Sequence, residues 1–180
     1  MENYFETNEK QDFKKLIEFN SKTHLFDGIE ETPEKHHTDA TAYTSTKLGE
    51  IRRFNIELKN RNLNLLNDGR LSGTTSNGSF YCDTIWIEDH KIADMLLDYI
   101  DGLEGLYINF LNDGKTLIFN LHKLSKRPLK SKEMNIKSRG YGKFEMAKRQ
   151  GLYIVDAAIF DENGKLIKKQ GEEYDKSRES

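Results

Sequence analysis

Apolar and polar residues alternate along Arg53-Phe54-Asn55-Ile56-Glu57-Leu58-Lys59-Asn60-Arg61. That period of two places Phe54, Ile56 and Leu58 on one face of a strand and Glu57, Lys59 and Arg61 on the other. Upstream, the spacing changes to that of a helix. Asn8 and Gln11 form a capping-box pattern, and Phe13, Leu16, Ile17 and Asn20 recur at helical intervals, which predicts a helix over 9–22. HLFDGIEETPEKHH then reads as a loop, and Thr38 to Thr44 as a strand. Ser45 to Ile51, with Gly49, supplies the bend of a hairpin whose second strand is Arg52 to Lys59.

Beyond this hairpin, Asn60 to Ser79 contains DGR and SGTTSNGS and reads as a long polar loop. Phe80 to Glu88 is a strand, and Asp89 starts a helix with an apolar stripe of Ile92, Met95, Leu96, Tyr99 and Ile100. Asn112-Asp113-Gly114 joins two more strands, Gly105 to Leu111 and Lys115 to Leu121. Residues 122–151 read as a surface loop with a helical part around Lys143 to Arg149. LYIVDAAIF is strand-like, Asp161-Glu162-Asn163-Gly164 is a turn toward Lys165-Leu166-Ile167, and 173–180 is a frayed tail. This order predicts a single α/β domain over 1–172 with a basic extension around 122–151.

The hairpin geometry has a chemical consequence. With its centre near Leu48, paired residue numbers sum to 96, so Tyr43 faces Arg53 and Asp39 faces Glu57. Asp39, Glu57 and Lys59 then share one face. Two surface acids and a lysine on a wet sheet face account for the same pattern without any chemistry.

Asp39 followed by Glu57-Leu58-Lys59 on the next strand resembles the PD-(D/E)XK nuclease superfamily, in outline from the first helix to the strand ending near Leu121. Thr38 stands where that motif has proline, a change that removes no metal ligand. The resemblance implies a restriction-endonuclease-like mixed central sheet flanked by helices. It also implies a Mg²⁺-dependent endodeoxyribonuclease, with Mn²⁺ as a substitute ion. Asp39, Glu57 and the Leu58 carbonyl would ligate the metal, and Lys59 would position water or phosphate. Glu18, Arg61, Glu88 and Lys91 are outer candidates; a salt bridge or simple solvent exposure is the plain alternative for each.

Charge distribution bears on the substrate. The chain carries 28 Lys and Arg against 30 Asp and Glu, a net of -2. Within His122 to Gly151, ten basic residues face only Glu133 and Glu145, a surplus of eight positive charges, so the remainder carries about -10. Lys130, Lys132, Lys137, Arg139 and Lys143 are therefore candidates for phosphate contacts, with Tyr141 stacking on an unpaired base. DNA is the expected partner, and RNA fits the same chemistry. A non-catalytic nucleic-acid-binding protein on the same scaffold is the alternative, and a homodimer would let two sites address both strands.

The remaining chemistry is sparse. His36-His37 lacks the spacing of a zinc site, and the lone Cys82 reads as a small buried side chain without a catalytic partner. A single cysteine, no leader pattern in MENYFETNEKQDF and no apolar run of membrane-spanning length predict an intracellular, DNA-containing compartment such as the cytoplasm, with no membrane partner.

Overall fold

The computed structural model describes residues 4–33, 35–124, 130–137 and 144–172, with side chains over 11–33, 35–124 and 148–172. Helix α1, Tyr4–Thr23, begins earlier than the capping pattern implies, so Asn8 lies inside it. Its buried stripe is Leu16 and Phe19 with Phe13 packed beside them, while Ile17 is exposed. Asn20 fastens the following loop, accepting from the Phe26 N–H at 2.9 Å and donating to the Phe26 carbonyl at 3.1 Å.

Strands β1 (Gly28–Glu31), β2 (Ala40–Ser45) and β3 (Ile51–Arg61) form an antiparallel meander. The expected loop before β2 thus contains an edge strand, which Glu30 and Glu31 disguise by their low strand propensity. The β2–β3 register is the expected one: Ala40 pairs with Ile56 and Tyr43 with Arg53.

β3 then pairs in parallel with β8 (Leu103–Leu111), from Arg53↔Leu103 to Arg61↔Leu111. A parallel pair requires a crossover, and here it is elaborate. It holds β4 (Leu63–Leu65), β5 (Leu71–Thr75), β6 (Gly78–Cys82), β7 (Thr84–Glu88) and α2 (Asp89–Leu97). The predicted polar loop over 60–79 is thus a three-stranded antiparallel meander, β4-β5-β6. Gly69 at φ 82° lies in the β4–β5 turn and Gly78 at φ 116° opens β6 at the β5–β6 turn, so these loop signals mark hairpin turns, while Gly73 lies inside β5. Helix α2 buries Ile92 and Met95 but stops at Leu97, and a 3-10 turn over Asp98–Asp101 leaves Tyr99 and Ile100 outside.

The Asn112-Asp113-Gly114 turn joins β8 to β9 (Thr116–Asn120) as expected. β12 (Ala158–Phe160) and β13 (Leu166–Lys168) complete a seven-stranded sheet, β1-β2-β3-β8-β9-β12-β13, in which β3–β8 is the one parallel pair. Between β12 and β13, Asp161 Oδ1 accepts from the N–H groups of Asn163 and Lys165 at 2.9 and 2.8 Å, fixing the predicted turn.

The basic segment is built differently from the expected loop and helix. β10 (Lys130–Lys137) and β11 (Phe144–Tyr153) pair antiparallel, and β11 also pairs with β7. β7 reaches only as far as Glu88↔Arg149, so the pairs from Glu133↔Lys148 to Lys137↔Phe144 form a ribbon beyond its end. Arg139, Tyr141, Lys143 and the tail over 173–180 lie outside the described residues, as do the side chains of Lys130, Lys132 and Lys137.

The large sheet has two covered faces. α1 covers one, packing Leu16 and Phe19 against Phe54, Ile56, Leu58 and Ile108. α2, β7, β11 and the small meander cover the other, packing Ile92, Met95, Ile85 and Leu152 against Tyr107, Leu117 and Phe119. No helix among the described residues is long and apolar enough to cross a membrane.

Candidate active site

The polar face of β3 lies on the α2 side of the sheet, and α2 covers part of it. Asn55 and Glu57 are each 1% exposed, as buried as the leucine between Glu57 and Lys59. Burial at that depth demands partners for a carboxylate. Glu57 Oε1 has two: Lys59 Nζ at 3.3 Å from its own strand, and Lys91 Nζ in direct contact from the first turn of α2. Glu57 Oε2 is buried with no hydrogen-bond partner among the described residues.

Asp39 stands immediately before β2, and its N–H donates to the Ile56 carbonyl at 2.9 Å. Its carboxylate accepts the Leu58 N–H at 2.7 Å, which fixes it against β3 beside Glu57. Burial, followed by the charge of Glu57, pushes the Asp39 carboxyl up from 3.8 to about 6, against the opposing pull of the Leu58 N–H, Lys59 and Lys91. Asp39, Glu57, Lys59 and Lys91 are thus one electrostatic unit. The Leu58 side chain is buried on the α1 side, as its place in the alternation predicts.

The other outer candidates fall elsewhere. Glu18 belongs to α1 and therefore to the opposite side of the sheet, where it lines a cleft with Lys15, Lys22, Lys115 and Glu162. The expectation that it joins the acids is corrected by that layer of protein. Arg61 donates to Asn109 Oδ1 at 3.0 Å, to the Trp86 carbonyl at 2.8 Å and to the Tyr107 hydroxyl. It braces β7 against β3 and β8, so its donors serve the fold where a phosphate contact was expected. Glu88 faces His90 at 3.4 Å, while Lys91 turns to Glu57.

Sequence reasoning overlooked Asp98. Its Oδ2 accepts from Asn55 Nδ2 at 2.5 Å and lies 2.5 Å from His37 Nε2. An acid at the carboxyl end of a helix opposes the helix dipole, and that misfit was the available signal. His36 stacks on His37 at 4.5 Å and contacts Thr38 Oγ1 at 3.0 Å. Cys82 is half-buried beside the α2-side core, and burial raises its thiol pKa.

Two converging carboxylates, one with a buried unpartnered oxygen, fit a hard divalent cation that takes oxygen ligands. No group of three His, Cys, Asp or Glu with metal-holding geometry occurs among the described residues, so solvent and substrate oxygens would complete such a shell. No protein-family model matches the chain, and no match was found among the curated proteins or the solved structures.

Proposed function

We propose that the protein is a Mg²⁺-dependent endodeoxyribonuclease built on a restriction-endonuclease-like sheet, with Mn²⁺ able to replace Mg²⁺. The observation that carries this reading is Asp39 set against Glu57, with Glu57 Oε2 unpartnered and Lys59 alongside. The order of helix, antiparallel hairpin, crossover helix and parallel strand supports it.

Asp39, Glu57 and the Leu58 carbonyl would hold the ion, which when bound supplies an acidified water and Lewis-acid stabilisation of phosphate charge. The chain's own groups do the rest. Lys59, with a side chain 35% exposed, reaches solvent from Glu57 and offers its ammonium to a phosphate oxygen or the attacking water. Lys91 neutralises Glu57 from behind and keeps its carboxylate in place while the substrate's negative charge approaches. The Leu58 N–H holds Asp39 in one orientation, so little reorganisation remains for the reacting complex.

The ribbon of β10 and β11 leaves the body where β7 ends at Glu88, three residues before Lys91. β10 and β11 together carry Lys130, Lys132, Lys137, Lys148 and Arg149 against Glu133 and Glu145, a basic surplus that suits contact with the phosphate backbone near the acids, and a duplex could be addressed by two copies of the chain. The second reading, a binding protein without cleavage, is favoured by one observation: both lysines already neutralise Glu57.

A panel of linear, circular, nicked and branched DNA, with RNA beside it, incubated with Mg²⁺ or Mn²⁺ tests the proposal. Cleavage by the wild type, with loss of about a hundredfold or more in Asp39→Ala and Glu57→Ala proteins that still fold, is expected. Binding with no cleavage under any condition supports the second reading instead. Undiminished cutting by both variants removes these acids from the reaction.

A further inference from the structure

The face that carries Asn55 and Glu57 continues past α2 onto an open part of the sheet. There a groove of about 500 Å³ is lined by Gly28, Glu30, Thr41, Tyr43, Ile51 and Arg53, among others. Strand register connects it to the acids: Tyr43 pairs with Arg53, Thr41 with Asn55, and Asp39 follows one rung later beside Glu57. From Arg53 to Glu57 is four residues, about 13 Å along the strand.

The groove has a constructed aromatic floor. Tyr43 is 45% exposed, and its ring lies across Gly28 so closely that a Cβ there would fall 2.2 Å from the ring. Only glycine at position 28 lets the ring lie across β1, leaving its other side to the groove.

Arg53 also differs from its neighbours. Arg52 makes a two-oxygen contact with Glu104 at 2.9 and 2.7 Å, and Arg61 is spent on Asn109 and Trp86. Arg53 is exposed and makes no ion pair among the described residues. A guanidinium beside an open aromatic ring matches the two recurring features of single-stranded nucleic acid, a charged phosphate and a base with a stacking face. Glu30, across the groove, is an acceptor for a base amino group.

We propose that this groove binds an unpaired nucleotide of the substrate strand beside the reacting phosphate, with Tyr43 stacked on the base and Arg53 on its phosphate. The proposal rests on the nuclease reading for the direction of the strand toward Asp39 and Glu57. It makes the protein selective for DNA or RNA that is frayed, nicked, branched or single-stranded near the cut.

Fluorescence anisotropy with a short single-stranded oligothymidylate in EDTA tests the groove without any cleavage. Tyr43→Ala should weaken binding roughly five- to 150-fold, the range for losing one base–aromatic stack, while Tyr43→Phe stays near wild type. Gly28→Ala, which pushes the ring away but keeps its hydroxyl, should act like Tyr43→Ala. Arg53→Gln should weaken binding and lower the salt slope by about 0.7. An oligonucleotide with one abasic position should lose affinity for the wild type but not for Tyr43→Ala. Oligouridylate in parallel distinguishes RNA from DNA. Equal binding by wild type, Tyr43→Ala and Arg53→Gln overturns the proposal, as does a change in oligomeric state without a change in oligonucleotide affinity. Groove-dependent binding without cleavage defeats the nuclease reading alone; cleavage and binding indifferent to Tyr43 and Arg53 defeat the groove alone.

Discussion

In the middle of β3, from Phe54 to Leu58, the two faces are buried to similar depth by opposite means. Toward α1, Phe54, Ile56 and Leu58 join an apolar cluster with Leu16 and Phe19. Toward α2, Asn55, Glu57 and Arg61 are held by Asp98, Lys91, Asn109 and the Trp86 carbonyl. The first face gains free energy simply by leaving water. The second must recover what its charges lose on leaving water, and that recovery is incomplete at Glu57 Oε2 and Asp39.

Substitutions on the two faces should therefore rank oppositely for stability and for activity. Leu58→Ala is expected to have the largest effect on stability, a loss of ~2–5 kcal/mol in urea unfolding, because its cavity opens in the α1-side core. Arg61→Met should cost ~1–3 kcal/mol by leaving Asn109 and the Trp86 carbonyl short of a donor, read from the same transitions. If Arg61→Met instead leaves stability untouched and weakens DNA binding, Arg61 is a phosphate ligand after all.

Lys59→Gln should change stability by at most about 1 kcal/mol, since the lysine is partly solvated. Its cleavage rate should nonetheless fall by about 10²–10³, which single-turnover kinetics would measure. Asp39→Asn sharpens the contrast most finely. Because the Asp39 carboxyl titrates near 6 in the fold and near 3.8 as an ordinary aspartate, the folded state binds the proton more tightly. Its contribution is fully present below about 3.8 and lost as pH rises through about 6. The Asn variant should thus gain stability relative to wild type at pH 7–8 and lose that advantage near pH 4, while cutting nothing. A pH-independent difference in melting temperature would show that the carboxyl is unstrained.

Much of this contrast is legible in the sequence. The alternation along 53–61 separates the faces, and the bend around Leu48 sets the register that brings Asp39 to Glu57. Hairpin contacts are local, so local rules suffice. What covers the polar face is not local. Lys91 and Asp98 reach Glu57 and Asn55 only because the crossover folds α2 onto β3, which no periodicity encodes. The same gap put Glu18 with the acids, since helical spacing gives the stripe of α1 but not the side of the sheet it covers. Residues 60–79 mislead for another reason: their turn residues carry a loop signal, and short strands lie between them. In 130–153, dense charge hid two strands whose pairing partners lie on each other and on β7.

The parallel pairing of β3 with β8 also sets an order of assembly. β2 and β3 meet across a short bend, whereas β8 reaches β3 only after everything from Asn62 to Gly102 has been looped out. Non-local pairings of this kind pay their loop entropy before any contact repays it, and they form late. Asp39 and Glu57 are therefore brought face to face by the hairpin before Lys91 can arrive on α2. During folding the two acids confront each other with only Lys59 for relief, so protons or a divalent ion available at that moment should hasten the hairpin's closure.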